Sequence, residues 1–368
     1  MAEMPHILVA PLDWGLGHAT RCIPLVRGLL AAGARVTLAA EGAQAALLSA
    51  EFPQLPMLRL PGYGIRFSRW CNLTTILAQI PRLQRHIATE HRWLQAQQAL
   101  HHFDAIISDN RYGLWTRSCP SILLTHQLQP AMPHGLGWAQ ATARRQFYKW
   151  IERFDACWVP DVADDTHNLS GQLGHPAEMP AIPVHYIGPL SRLELPPKPP
   201  LKKYELMMLL SGPEPQRTLL ERKLLAQAAA TEGTHLLVGG LPATPQAQVA
   251  VPTNVVAVPH LAPAMLTQMM LASNYVLSRG GYSTLMDMTK LGCRGILVPT
   301  PGQTEQHYLA RRWQAQGQAL AFGQRRLRLP LALAAAQQHA YLPLQLAAAP
   351  PLQPWLQAWV QGMAKAPH

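Results

Sequence analysis

Short apolar segments recur along the chain, and each is followed by a turn rich in glycine, proline or polar residues. Apolar runs of this length, separated by stretches of helical periodicity, are typical of buried parallel strands that alternate with helices. The pattern therefore predicts an α/β protein, in which Gly295–Val298 is the last clear strand. The predicted strands are His6–Pro11, Arg35–Ala40, Asp104–Ser108, Ser121–Thr125, Ala156–Val159, Val184–Ile187, Glu205–Leu210, His235–Val238, Val255–Val258, Asn274–Leu277 and Gly295–Val298.

The stretches between these strands carry apolar residues at helical spacing. In the first stretch, Ile23, Val26 and Leu29 share one face, and Gly33 supplies a stop. The opening strand, glycine-rich loop, helix and second strand predict a right-handed βαβ unit. The predicted helices cover about 19–32, 73–99, 264–272, 283–291 and 352–364, with two more that end near Glu232 and Gln316.

A proline-rich connector divides the chain. Within Leu195–Lys203, four prolines and a lysine stand together, which predicts a stiff and exposed linker. We therefore expect an N-terminal Rossmann-like domain over residues 1–195 and a C-terminal one over 196–351. Residues 352–368 predict a helix that packs back on the first domain. The simplest architecture that fits this pattern is two doubly wound domains facing a cleft.

Composition supports this division. A chain of 368 residues is longer than one hydrophobic core usually supports. Apolar residues make up 48% and charged residues 14%, which excludes a disordered chain. The net charge of +11 is uneven, because residues 1–200 carry 17 basic and 14 acidic side chains while residues 201–368 carry 14 and 6. A basic half suits an anionic ligand, an anionic membrane surface or nucleic acid.

The cysteines and the chain start bear on location. Five scattered cysteines without a C-x-x-C pair favour reduced thiols over a disulfide framework or a zinc site. Met1–Pro5 lacks the basic segment of a signal peptide, and the apolar run Leu329–Ala336 is too short to span a bilayer. We expect a cytoplasmic protein, peripheral on the membrane at most.

A strand-to-helix junction late in the chain carries candidate ligand chemistry. Ser278 and Arg279 are followed by Gly280 and Gly281, and adjacent glycines at a helix start let main-chain N–H groups face a phosphate. Asp287, one turn further, is a candidate acceptor for ribose hydroxyls. The alternative is a tight turn followed by a surface aspartate.

A second candidate site follows the first strand, where Gly15 and Gly17 precede His18. The positive end of a helix dipole disfavours a charged imidazole, and a neutral histidine is a competent general base. The alternative is a histidine that caps the helix or packs on Trp14. Arg21 is a candidate phosphate ligand or a surface charge.

Two basic segments rich in aromatic residues lie in the first half. Residues 59–92 hold six arginines, including Arg66 and Arg69, against one acidic residue, and residues 138–153 repeat the mixture. Such segments suit an anionic lipid surface or an acidic acceptor, and otherwise form a solvated helix face.

Together, the loops Gly15–Arg21 and Ser278–Gly281 with Asp287 resemble those of GT-B glycosyltransferases. The closest branch contains the enzyme that adds N-acetylglucosamine to a lipid-linked peptidoglycan precursor. The resemblance implies that the second domain binds a nucleotide sugar, usually a UDP sugar, and that the first binds the acceptor. The nucleotide-binding residues it implies are Ser211, Gly212, Ser278, Arg279, Gly280, Gly281, Ser283 and Asp287. The donor-sugar and acceptor residues it implies are Gly15, Gly17, Arg21, His126, Glu305, Gln306 and His307.

The sequence departs from the family pattern at three places. Asp287 stands where the family usually has Glu, prolines 213 and 215 replace flexible residues, and His307 replaces one of two paired glutamines. Because of the last departure, the resemblance does not identify the donor sugar.

The chemistry implied is an inverting transfer with His18 as the base. Helix-start amides and Arg279 would stabilise the departing diphosphate. The chain has no D-x-D triplet, so we expect no metal, and no cofactor other than the donor. The expected partners are the nucleotide sugar, a lipid-linked or polysaccharide acceptor and an anionic membrane, and no nucleic-acid motif is present.

Three other functions fit parts of the sequence. The G-x-G-H-x-x-R-C segment also resembles bacterial nucleotide-sugar hydrolases, in which the histidine activates water. An NAD-dependent oxidoreductase would use Gly15, Gly17 and Glu41, although Thr20 replaces the third glycine of that fingerprint. A nucleotide-sugar-binding regulator would not need His18 for catalysis.

Overall fold

The computed structural model describes residues 4–62, 73–132, 135, 137–241, 251–343 and 350–364. The chain forms two compact units, one of Met1–Leu190 with Leu346–His368 and one of Ser191–Gln345. The sequence places both boundaries a few residues later.

Unit 1 is built on a seven-stranded parallel sheet. Its strands are β1 (His6–Pro11), β2 (Arg35–Ala40), β3 (Met57–Arg59), β4 (Ala105–Asp109), β5 (Ser121–Leu124), β6 (Ala156–Val159) and β7 (Val184–Tyr186). Their order is β3-β2-β1-β4-β5-β6-β7, so the strand order reverses between β1 and β4. The helices are α1 (Leu16–Ala31), α2 (Gly42–Glu51), α3 (Leu73–His101) and α4 (Gln140–Ile151). Strands β1, β4, β5 and β6 are buried along their whole length, which explains their continuous apolar runs.

Unit 2 repeats the design with six parallel strands. They are β8 (Tyr204–Leu209), β9 (His235–Val238), β10 (Val255–Val258), β11 (Ser273–Ser278), β12 (Gly295–Leu297) and β13 (Ala319–Ala321). Their order is β10-β9-β8-β11-β12-β13, and the reversal falls between β8 and β11. The helices are α5 (Gln216–Ala228), α6 (Pro263–Leu271), α7 (Tyr282–Leu291), α8 (Thr304–Ala315) and α9 (Leu329–Gln338).

The last helix, α10 (Leu352–Ala364), packs on unit 1. Leu356 lies against Gly28 of α1, and the Gln353 amide donates to the Gly28 carbonyl at 3.3 Å. Trp158 of β6 is inserted between Trp355 and Trp359, with ring centroids 4.6 and 4.8 Å apart. Leu356 is fully buried in this contact.

The predicted fold class is confirmed, since both sheets are parallel and interleaved with helices. One more strand follows Gly295–Val298, the last clear strand in the sequence. This strand is β13, and its three residues Ala-Leu-Ala are too few to show a periodic pattern at a sheet edge. The strand β3 and the helices α2, α4 and α9 also went without a prediction.

Candidate active site

The first candidate loop lies where the strand order of unit 1 reverses. In doubly wound sheets, ligands bind at the carboxyl ends of the strands at this point. Pro11 at the end of β1 is in register with Asp109 at the end of β4. Gly15 turns the chain with φ +80°, and α1 begins at Leu16, so His18 lies in the first helical turn. The Gln44 amide fixes the loop by donating to the carbonyls of Asp13 and Gly15, at 2.9 and 3.1 Å.

His18 faces a buried carboxylate. Its Nδ1 lies 3.2 Å from each carboxylate oxygen of Asp109, and 14% of its side chain is exposed. Burial lowers the pKa of His18, Asp109 opposes this, and Arg21 adds to the lowering. The imidazole is therefore neutral at physiological pH. When Nδ1–H donates to Asp109, the lone pair of Nε2 is left to accept a proton.

Arg21 is neither a surface charge nor placed as an outward phosphate ligand, because only 2% of the residue is exposed. Its Nε donates to Asp109 Oδ2 at 3.0 Å, and its Nη2 forms a further ion pair with Asp109 Oδ1. Although burial opposes it, the Arg21 guanidinium together with His18 holds the pKa of Asp109 at about 2. Asp109 is therefore ionised throughout the physiological range.

The other unit 1 candidates lie around the same group. His126, at the end of β5, is 4% exposed, and its Nδ1 accepts from Arg21 Nη1 at 2.9 Å. Gly17 is fixed by the Thr20 hydroxyl, which donates to its carbonyl at 2.9 Å. The structure thus brings Gly17, His18, Arg21 and His126 together.

Glu41, the candidate ribose ligand of an NAD enzyme, is already engaged. Its Oε1 accepts from Arg59 Nε and Nη2 at 3.0 and 2.7 Å, and its Oε2 accepts from the Gly62 amide at 3.1 Å. These bonds occupy the carboxylate that a dinucleotide would need.

The second candidate loop lies where the strand order of unit 2 reverses, after β11. Gly280 has φ +69°, a conformation that side chains rarely adopt, and a Cβ added at Gly281 would meet no atom within 4 Å. Helix α7 then begins at Tyr282 without a side-chain cap, and Ser283 lies in its first turn. The backbone here is open enough for a phosphate to approach the helix start.

The Arg279 side chain is turned into the protein, where both terminal nitrogens of its guanidinium are hydrogen-bonded. It is 2% exposed, and its Nη1 donates to Gln324 Oε1 at 2.6 Å and to the Val298 carbonyl at 3.3 Å. Its Nη2 donates to the Gln216 carbonyl. The guanidinium therefore links the carboxyl end of β12 to the amino end of α5.

Two buried polar atoms beside Gly212 have no hydrogen-bond partner within the described part of the chain. They are Arg279 Nε and Thr300 Oγ1. A Cβ built on Gly212, which has φ +97°, would lie 4.0 Å from the former and 3.5 Å from the latter. Ser211 and Gly212 are exposed, so the two buried atoms lie beneath an accessible loop.

Asp287 is held by a residue that the sequence did not single out. The Ser191 hydroxyl donates to Asp287 Oδ1 at 2.6 Å. Burial raises the pKa of Asp287 to about 6, although Ser191 and Arg192 both oppose the shift. Asp287 is half-buried, so it is not a fully solvated surface side chain.

The segment Glu305-Gln306-His307 forms the first turn of α8. Gln306 Oε1 accepts from the Thr300 amide at 2.8 Å, and its amide nitrogen donates to Gln303. Gln306 therefore shapes the loop after β12. Burial and then Arg311 lower the pKa of His307.

Metal and membrane elements were sought in the described ranges only. There, no three His, Cys, Asp or Glu residues lie close enough to hold a metal ion. None of the helices within these ranges has the length and apolar character to cross a bilayer.

Comparison with known proteins identifies a family domain that part of the chain resembles. Residues 226–351 match the glycosyltransferase family 28 C-terminal domain. Comparison with curated protein sequences gives no significant match.

Similar solved structures cover almost the whole chain. The glycotransferase of kitacinnamycin is 14% identical with a TM-score of 0.64, over 99% of this chain and 95% of that one. Glycosyltransferase VinC in complex with dTDP is 15% identical with a TM-score of 0.54, over 98% and 95%. Arabidopsis thaliana UGT89C1 complexed with UDP-L-rhamnose is 15% identical with a TM-score of 0.60, over 98% and 94%. At these identities the likeness shows the fold.

The fold is therefore that of the GT-B glycosyltransferases. Over residues 226–351 the chain resembles the C-terminal domain of glycosyltransferase family 28. The narrower resemblance to the peptidoglycan-precursor enzyme finds no support in these comparisons.

Sequence reasoning missed the partners of the candidate residues. Asp109 comes directly after the predicted strand Asp104–Ser108, and its pairing with His18 depends on β4 lying beside β1. That adjacency is the available signal, since the reversal of strand order puts the first and fourth strands of such a sheet together. No comparable feature of the sequence marked Ser191 or Thr300 as part of a site.

Proposed function

We propose that the protein transfers a sugar with inversion from a nucleotide sugar, a UDP sugar in the first instance, to an acceptor hydroxyl without a metal ion. The single observation that carries the proposal is the contact between His18 Nδ1 and Asp109, at 3.2 Å to both oxygens. A neutral imidazole oriented by a buried carboxylate is the arrangement that general-base catalysis needs.

In the proposed reaction, His18 Nε2 takes the proton of the acceptor hydroxyl. The acceptor oxygen forms a bond to the anomeric carbon, and the bond from that carbon to the diphosphate oxygen breaks. The electron pair of that bond leaves with the nucleoside diphosphate. Asp109 stabilises the imidazolium that forms, because its carboxylate lies against Nδ1.

The donor half of the proposal rests on unit 2. Main-chain amides at the start of α7, with Gly280 and Gly281, would bind the diphosphate. Arg279 Nε and Thr300 Oγ1 offer two further donors beside Gly212. Asp287 would accept from the ribose, in exchange for or beside the Ser191 hydroxyl. Two neighbours of the same fold bear a dTDP and a UDP sugar, which supports a nucleoside diphosphate donor.

The test separates base from binding site. Replacing His18 with Ala should reduce turnover by about 10² to 10⁴-fold and leave nucleotide affinity nearly unchanged, because a base acts in the transition state. Asp287→Ala should weaken nucleotide binding, measured by calorimetry. Equal losses of both properties in both variants would contradict the assignment.

Hydrolysis by the same base is the second candidate, because the pairing of His18 with Asp109 would serve water equally well. The two are distinguished by incubating the protein with UDP-N-acetylglucosamine alone. Rapid, stoichiometric release of free sugar would favour the hydrolase. Increased thermal stability with UDP or dTDP but not with NAD would count against the oxidoreductase.

We further propose that the acceptor is presented on an anionic membrane surface, which α4 contacts. Trp138, just before α4, is 77% exposed, and Arg145 and Lys149 are exposed at matching helical positions. Arg82, Arg85 and Arg92 are exposed on α3, whereas Arg66 and Arg69 lie outside the described residues. Each basic side chain near an anionic leaflet contributes about 1 kcal/mol, and an interfacial Trp adds to this.

Vesicle sedimentation tests this contact. Arg145→Glu with Lys149→Glu should abolish binding to anionic vesicles, while Lys290→Glu, an exposed charge of unit 2, should not. Equal binding of the wild type, the double variant and Lys290→Glu to anionic vesicles would reject the proposal. So would equal binding of the wild type to anionic and to neutral vesicles.

A further inference from the structure

Arg21 places a fixed positive charge at the ring nitrogen that orients the base. Its Nη2 lies 3.0 Å from His18 Nδ1, and the two oxygens of Asp109 lie 3.2 Å from the same atom. An arginine N–H can only donate and a carboxylate oxygen can only accept. The two neighbours therefore favour opposite states of one nitrogen.

The two states differ in chemistry. With the proton on Nδ1 and directed at Asp109, Nε2 has a lone pair and can take a proton from an acceptor. When Arg21 donates to Nδ1, the ring proton lies on Nε2, so Nε2 cannot act as a base. A doubly protonated ring gains from Asp109 and is repelled by Arg21.

The contacts of Arg21 indicate how it acts on this balance. Nε and Nη2 both engage Asp109, so the carboxylate is held in one orientation with both oxygens facing His18. Nη1 donates to His126 Nδ1, which assigns the proton of a neutral His126 to its Nε2. Cys22 Sγ also donates to Asp109 Oδ2, at 3.6 Å. The ionisable groups that act on His18 in the described chain are Asp109 at the end of β4, His126 just after β5 and Arg21 on α1.

We propose that Arg21 is a positioning residue that fixes Asp109 toward His18 and prevents a resting charge on the imidazole, so that the base stays competent in mild acid. The inference rests on the proposed function of His18 as the base. In the proposed mechanism Arg21 does not contact the substrate, and it acts through Asp109 and His18.

The carboxylate and the guanidinium should shift the base in opposite directions. Removing the positive charge with Arg21→Gln should raise the pKa of His18 and move the acid limb of kcat/KM to higher pH, with about fivefold lower activity at the wild-type inflection for a shift of one unit. Removing the negative charge with Asp109→Asn should lower the pKa of His18. Arg21→Lys retains the charge and should leave the limb near its wild-type position.

The readout that a purely structural role would not move is the titration of His18 itself. Imidazole ¹⁵N NMR of the full chain without substrate gives the pKa and the tautomer, with His18→Gln identifying the signals. Wild-type protein should carry its proton on Nδ1. Opposite shifts in Arg21→Gln and Asp109→Asn support the proposal, and unmoved or parallel shifts overturn it.

Arg21→Gln leaves the Asp109 carboxylate buried without its main partner, so this variant is at risk of unfolding. In that case the comparison is made in a neutral background. The double variant Arg21→Gln with Asp109→Asn should show a higher His18 pKa than Asp109→Asn alone, and equal values would overturn the proposal. Normal turnover in His18→Ala would instead refute the proposed function and leave the NMR result standing.

Discussion

A buried carboxylate in unit 1 is surrounded by donors of different strength. Asp109 is fully buried and accepts from Arg21 at two atoms, with His18 within hydrogen-bond distance. Because the guanidinium cannot lose its proton, Asp109 remains charged, and the titration of the group is left to the histidine. A lysine at position 21 would keep the charge but lose the fork that grips both oxygens.

The pKa of Asp287, raised by burial to about 6, predicts a pH dependence of donor binding. The carboxyl is protonated below this value and ionised above it, and the ionised form accepts ribose hydroxyls more strongly. Affinity for a UDP sugar should therefore rise as pH increases through 6, with roughly tenfold weaker binding at pH 5 than at pH 8. Calorimetry at several pH values measures it.

Asp287→Asn is the matched control for this effect, since it keeps the shape of the side chain and cannot titrate. Its affinity should be uniform across the same pH range. A wild-type curve as flat as that of the variant would show that Asp287 does not meet the ribose.

At the scale of elements, the pairing of α1 with α10 depends on a missing side chain. A Cβ built on Gly28 would lie 2.4 Å from Leu356 Cδ1 and 3.3 Å from Gln353 Oε1. The last helix can approach α1 this closely only because position 28 has no Cβ. Helix α1 also carries His18 and Arg21, so its docking bears on the site.

Gly28→Ala should lower the free energy of unfolding by about 1–3 kcal/mol, because overpacking outweighs the gain in helix propensity. Gly362→Ala, on the exposed side of α10 with no atom within 4 Å of the added Cβ, should instead raise it by about 0.5–1 kcal/mol. Denaturant unfolding compares the two. Stabilisation by both changes would mean that the Leu356 contact is not tight.

At the scale of the whole molecule, the two units carry their candidate loops at equivalent positions. In each sheet the strand order reverses beside the first strand of the unit, and the candidate loops follow the two strands at the reversal. Gly15–His18 follows β1 in one unit, and Ser211-Gly212 and Gly280-Gly281 follow β8 and β11 in the other. The same topology thus positions both the proposed base and the proposed donor site.

Metal independence is a prediction for the complete enzyme. Dialysis against EDTA should leave turnover unchanged within about twofold, because main-chain donors at the α7 start are proposed to stabilise the diphosphate. Activity that disappears on dialysis and returns with Mg²⁺ or Mn²⁺ would contradict it. The measurement needs the identified donor at saturating concentration.

Much of the strand and helix pattern was readable because long periodic segments dominate it. Strand β1 and helix α10 begin and end where the pattern predicts, since each is bounded by a clear change of residue type. Strand β13 escaped because three residues at a sheet edge give no period. Helix α1 starts before the predicted Ala19, because a glycine at positive φ forms its cap.

The sequence alone determined the α/β class, the division into two units of alternating strands and helices, and the loops that carry His18 and the paired glycines. Local periodicity and glycine chemistry are properties of neighbouring residues, so they can be read along the chain. Only the tertiary structure decided that Asp109 and Arg21 surround His18, that Arg279 points inward and that Ser191 bonds Asp287. These contacts join residues distant in sequence, and strand order and burial, which arise only on folding, determine them.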